Sequence, residues 1–158
     1  MAKFTPIDVA AWFLNRQDLD AGDPITHLKL QKLVYYAQAW CLAMLNEPLF
    51  DEDLEAWAHG PVSRSLYDKY AGAKWNPLEA PGGEDAGFSA EQVDILQEVK
   101  EAYGRYASKR LEAMTHNEQP WLDARGSLGP EERSNAKISK ETMGRFYKDL
   151  LEKTTAEE

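Results

Sequence analysis

Residues 27–45 read HLKLQKLVYYAQAWCLAML, and the fold turns on this stretch. Leu30, Leu33, Val34, Ala37, Trp40, Cys41 and Met44 recur at the helical period and so share one apolar stripe. Leu28, Tyr35, Ala39 and Leu42 cover much of the remaining circumference with apolar surface. A helix that is apolar nearly all round is packed from several directions. The segment is therefore expected at the centre of a mainly α, single-domain helical bundle. Its near-apolar run from Leu33 to Leu45, broken only by Gln38, is too short for a membrane span of about 20 residues.

Working outward, the same helix-start signature occurs four times, as an apolar residue, a Thr or Ser cap, and a second apolar residue four positions after the cap. The sets are Phe4, Thr5, Val9; Ile25, Thr26, Leu30; Phe88, Ser89, Val93; and Ile138, Ser139, Met143. In each, the hydroxyl accepts from an otherwise unpaired helix N–H while the apolar pair staples the first turn. This predicts helices over 6–15, 27–45, from residue 90 through Tyr103 and Tyr106, and over 140–153. Residues 46–60 lack a helical stripe and are expected to be extended, with one short strand near 50–58. Gly60 and Pro61 fit the cap and first position of a third helix carrying Val62, Leu66 and Tyr70. Lys109–Thr115 and a short stretch from Pro120 holding Trp121 complete the helices. The loop 71–87 exceeds the usual length and is expected to be functional or mobile. Residues 1–153 are expected to form the domain, with 154–158 as a frayed acidic tail.

The chain has 158 residues and a net charge of −9, and all of that excess lies in 47–101, where 13 acids face 4 bases. No segment is net basic, which argues against nucleic acid as a main ligand. Arg105, Lys109 and Arg110 are the only cluster that a DNA-binding reading could use. The acidic centre, led by Asp51, Glu52 and Asp53, is expected to approach a partner with a basic surface. A single cysteine and an N-terminal stretch without an apolar signal core point to a reducing, cytoplasmic setting.

No catalytic, cofactor-binding or metal-ligating residue is assigned from the sequence. His27 falls at a first helical position, where it is expected to face solvent. Cys41 lies on the apolar stripe as a small hydrophobe. His116 sits near a helix end that favours imidazolium. The run Asp51–Glu55 reads as a solvated acidic face, and there is no phosphate loop or nucleophile elbow. The one enzymatic alternative is a hydrolase that uses His59 with Asp53 or Glu55. Trp40 and Trp121 read as core. Trp75 reads first as a loop anchor folded back on the body, and otherwise as an exposed binding hot spot. Gln31, Lys32, Tyr35 and Gln38 lie off the stripe, and Lys32 is expected to pair with Glu55 if the extended segment packs there. These residues either fix the 55–62 segment from below or bind a partner.

Leu28 through Trp40, followed by Pro48, Leu49, Phe50, Glu55, Ala56, Trp57, Gly60, Pro61 and Val62, resembles the Panacea domain of SocA-type antitoxins and GepA-related phage-associated proteins. Thr115, His116, Glu118, Pro120 and Trp121 are similar to that family's later motif, and Ile138 with Ser139 fits its end. The resemblance implies a helical, prophage-associated antitoxin without catalysis that neutralises a cognate protein toxin by direct contact. An adaptor that hands the toxin to an ATP-dependent protease is the alternative. The residues expected to bind the partner are Gln31, Lys32, Tyr35, Glu55, Trp57, His59, Arg64 and Trp75.

Overall fold

Helix α2 (His27–Leu45) is the axis of the molecule, and the other elements are placed by what they bury against it. The computed structural model describes residues 2–17 and 24–156, without the side chains of 155 and 156. In chain order these hold α1 (Pro6–Leu14), α2, strands β1 (Glu55–Trp57) and β2 (Gly60–Val62), and α3 (Arg64–Tyr70). A 3-10 turn at Ala71–Ala73 follows, then α4 (Ala90–Tyr103), α5 (Ser108–His116), α6 (Gln119–Arg125) and α7 (Lys140–Ala156). Helix α2 packs against α1, α3, α4, α5, α7 and β2. Leu30, Leu33, Val34, Tyr35, Tyr36, Ala37 and Cys41 are all buried there, as the all-round apolar pattern requires.

All four predicted caps form. Thr5 pairs with Asp8 and Ser89 with Gln92 as reciprocal capping boxes. Thr26 accepts from the Lys29 N–H, and Ser139 from that of Thr142 at 3.1 Å. Helix α2 ends on Asn46 at φ 58°, a left-handed position that asparagine tolerates, two residues before Pro48. Two helix ends differ from expectation. Helix α4 stops at Tyr103, with Gly104 as its C-cap, and buries Ile95, which the expected stripe omitted. Helix α7 runs on to Ala156, while the last two residues of the expected tail lie outside the described residues.

The largest correction is at Gly60 and Pro61, which do not begin a helix. Residues 55–62 form an antiparallel hairpin in the register Glu55 with Val62, Ala56 with Pro61 and Trp57 with Gly60. Gly60 takes φ +111°, a conformation that side chains disfavour, and Pro61, lacking an N–H, is tolerated on an edge strand. The helix starts three residues later, on a Ser63 cap. The free edge of β1 is covered by residues 136–138, through Ala56 N–H to Ala136 O and Ile138 N–H to Leu54 O, both 2.8 Å.

The 71–87 loop is tied down by Leu78 and not by Trp75. Leu78 is buried, donates its N–H to Ile25 O at 2.8 Å and accepts from Gln17 Nε2 at 2.7 Å. Asn15 holds Gly82 through both backbone groups. Trp75 is 75% exposed, so it is not a folded-back anchor.

Candidate functional site: a cleft on the supported hairpin

Two glutamines on α2, seven residues and two turns apart, clamp the extended segment at both ends. Gln38 Oε1 accepts from Leu49 N–H at 2.7 Å and Nε2 donates to Phe50 O at 2.9 Å. Gln31 does the same to one residue, accepting from Ser63 N–H at 2.8 Å and donating to Ser63 O at 3.2 Å. Its Nε2 also lies 3.0 Å from His27 Nε2. His27 is therefore buried beneath Tyr67 rather than solvent-facing, and burial, with the charge of Lys32, lowers its pKa.

Lys32 lies under the hairpin turn at 1% exposure. Burial pulls its ammonium down to about 8 against the attraction of Glu112. The expected pair with Glu55 does not form. Glu55 Oε1 accepts instead from Trp57 Nε1 at 2.9 Å and from Arg64 Nη2 at 3.2 Å. Tyr35 is fully buried in a cluster where Tyr147 Oη lies 3.1 Å from its hydroxyl and 2.9 Å from Glu118 Oε1. Tyr36 donates to the same carboxylate oxygen at 2.8 Å. Burial raises Glu118, partly offset by these two hydroxyls. Gln31, Lys32 and Tyr35 thus have no exposed face to offer a partner.

Helix α6 supports the hairpin from the other side. Trp121 Nε1 donates to Trp57 O at 2.8 Å. Arg125 Nη1 donates to Ala56 O at 3.0 Å, and its Nη2 to Gly129 O and Glu132 O at 2.6 Å each. The Arg125 guanidinium stacks over one side of Trp121 at 4.8 Å, and the His116 ring stacks on Trp121 at 4.1 Å. Burial lowers the His116 pKa against the raising effects of Glu112 and the Ala58 backbone.

On the outer face, Arg64 lies over Trp57 at 4.9 Å and Tyr67 packs against the same indole at 4.9 Å. With His59, Arg133 and Asn135 these side chains line a cleft of about 740 Å³. It combines aromatic side chains with Arg64, Arg133 and the carboxylate of Glu131, groups suited to stacking and to charge-assisted hydrogen bonds. Three of the expected residues, Trp57, His59 and Arg64, meet here, with Glu55 orienting two of them. Trp75 does not join them. Glu131, Arg133, Ser134 and Asn135 carry no sequence signal, because residues 127–137 lack periodicity, and Tyr67 lies off the expected stripe of Val62, Leu66 and Tyr70.

His59 Nδ1 lies 3.1 Å from Glu112 Oε1 and not beside either carboxylate of the hydrolase alternative. Asp53 is held by Lys140 at 2.7 Å and Lys137 at 3.6 Å, which lowers its pKa. Asp51 accepts from Ala2 N–H, and Glu52 from Ser63 Oγ. Each carboxylate of the run 51–55 thus has a partner within the chain, while Asp51 stays exposed to solvent. Cys41 is buried and its thiol is pushed up to about 12. Among the described residues, no group of three or more His, Cys, Asp or Glu could hold a metal ion, and no helix is long and apolar enough to cross a membrane.

Compared with known proteins, the chain matches no curated protein and no solved structure. Residues 30–122, however, match the family model for the antitoxin SocA-like Panacea domain. The match begins beside the Gln31 clamp, takes in the whole hairpin and ends just after Trp121, so it encloses much of the machinery that holds the hairpin in place. The chain belongs to the antitoxin SocA-like Panacea domain family.

Proposed function

We infer that this protein is the antitoxin of a toxin–antitoxin pair and neutralises its cognate protein toxin by direct binding, with the hairpin cleft as a contact surface. The observation that carries this reading is the division of labour around residues 55–62. Gln31, Lys32, Trp121 and Arg125 are spent on supporting the hairpin from within, while Trp57, Arg64 and His59 face outward on a rigid platform. Buried aromatic and arginine anchors in preformed sites dominate binding energy at protein interfaces, which fits Trp57 and Arg64. The test is co-expression with the product of the neighbouring reading frame. The wild-type chain restores growth and co-purifies with the toxin, and Trp57→Ala with Arg64→Ala loses both while keeping its helical circular dichroism. Growth restored with no detectable complex would sink the reading. A toxin half-life that shortens whenever this chain is present would move the mechanism from occlusion to protease delivery.

A further inference from the structure

Helix α4 presents Glu91, Asp94, Glu98 and Glu101 at exposed positions. Spacings of three and four residues place them in one row about 15 Å long. None of the four is engaged in an ion pair among the described residues. Asp51, Glu52, Asp53 and Glu55, by contrast, are all occupied within the chain. The uncommitted negative charge of the acidic middle segment therefore includes this row. Lys100 lines a second pocket with Gln17, Lys29 and Arg105, and Glu101, at the end of the row, lines it too.

One member of the row, Glu98, lines a groove of about 180 Å³ between α2, α4 and α7, whose other walls include Trp40, Met44, Ile95, Val99, Ala102 and Leu151. Met44 is 44% exposed, and Leu150 and Leu151 continue the apolar surface onto α7. The last turns of α7 carry Lys148 and Lys153 against Asp149 and Glu152, which balance, so the net field comes from α4. An apolar floor with a carboxylate row along one edge complements an amphipathic helix whose apolar face fills the groove and whose Lys or Arg residues meet the row. A second copy of the chain is a poor occupant, since its α4 would bring like charge and its α7 is electrically balanced.

We propose that this groove docks a basic amphipathic helix of the partner protein. The proposal rests on the partner-binding reading above but uses a different face from the hairpin cleft. A row of this length matches about three turns of a docked helix. The probe is a fluorescein-labelled peptide of about 18 Leu and Lys residues patterned as an amphipathic helix, titrated by anisotropy against the full chain at low and high salt. Binding is expected to weaken at least about tenfold in Glu91→Gln, Asp94→Asn, Glu98→Gln, Glu101→Gln, and equally in Met44→Ser, Leu151→Ser. All six positions are exposed, so the melting curve is expected to stay close to wild type. A scrambled peptide of the same composition should bind as weakly as the variants bind the patterned one. Equal binding of the scrambled peptide, or variants that bind like wild type, would overturn the proposal. So would self-association in sedimentation that Met44→Ser, Leu151→Ser abolishes, because the groove would then belong to a second copy. Peptide binding that persists in a chain unable to restore growth would remove the antitoxin reading and leave the groove standing.

Discussion

Gly60 sits directly on Lys32: a Cβ at position 60 would lie 2.8 Å from Lys32 Cε and 3.1 Å from Thr115 Oγ1. The hairpin turn can approach α2 and α5 this closely only without a side chain, and its φ of +111° independently disfavours one. Gly60→Ala is accordingly expected to cost about 2–3 kcal/mol in denaturant unfolding, combining backbone strain with displacement of a buried chain. An unchanged midpoint would mean that the turn relaxes away from Lys32 freely.

Lys32 itself is held at a cost that depends on pH. Its folded pKa is near 8 and its ordinary value 10.5, so between those limits the unfolded chain binds more protons. Stability from this group therefore rises with pH across that window and is lowest below pH 8. Lys32→Met, similar in shape and uncharged, is expected to gain about 3 kcal/mol at pH 7. The gain over wild type should shrink steadily toward pH 10. A difference that is the same at both pH values would show that the ammonium carries no burial cost.

Glu118 works in the opposite sense. Burial raises its folded pKa above the ordinary 4.5, so the folded state holds its proton longer and stability from this group falls as pH rises through that range. Glu118→Gln keeps an oxygen for Tyr36 and Tyr147 without the charge. Its melting temperature is expected to exceed wild type at pH 7 and to converge with it near pH 4. A variant less stable than wild type at pH 7 would show that the two tyrosine hydroxyls need the carboxylate.

Removing the indole N–H that reaches Trp57 O should loosen the hairpin without dismantling the bundle. Trp121→Phe is expected to cost about 1–3 kcal/mol, from one buried hydrogen bond and a smaller ring. Amide exchange should quicken at residues 55–62 and remain slow in α2. Uniform acceleration across both would indicate that Trp121 supports the whole core equally.

Local signals explain which parts of this structure were legible in the sequence. Thr5, Thr26, Ser89 and Ser139 announce their helices because capping is decided within four residues. The central place of α2 follows from its all-round apolar surface. The hairpin was misread because Gly60 and Pro61 suit two structures, a helix start and an edge strand with a left-handed residue. The choice between them is made by Gln31, Lys32 and Trp121, which lie roughly 30 to 60 residues away. Trp57 lies in the family-like pattern, and it converges with His59 and Arg64, which lie outside that pattern. The burial of Gln31, Lys32 and Tyr35 beneath them needed the tertiary contacts. Arg125 carried no sequence signal, since its partners are backbone carbonyls of Ala56, Gly129 and Glu132.

The paired glutamine clamps have a consequence for how this chain can change. Within the extended segment, Gln38 and Gln31 grip only main-chain atoms, at Leu49, Phe50 and Ser63, and so impose position without dictating side-chain identity. The residues between them are held at both ends by these clamps and in the middle through the main chain of Ala56 and Trp57. Because none of these bonds reads a side chain of the segment, its outward positions can be rewritten while the clamps and the helical body stay as they are.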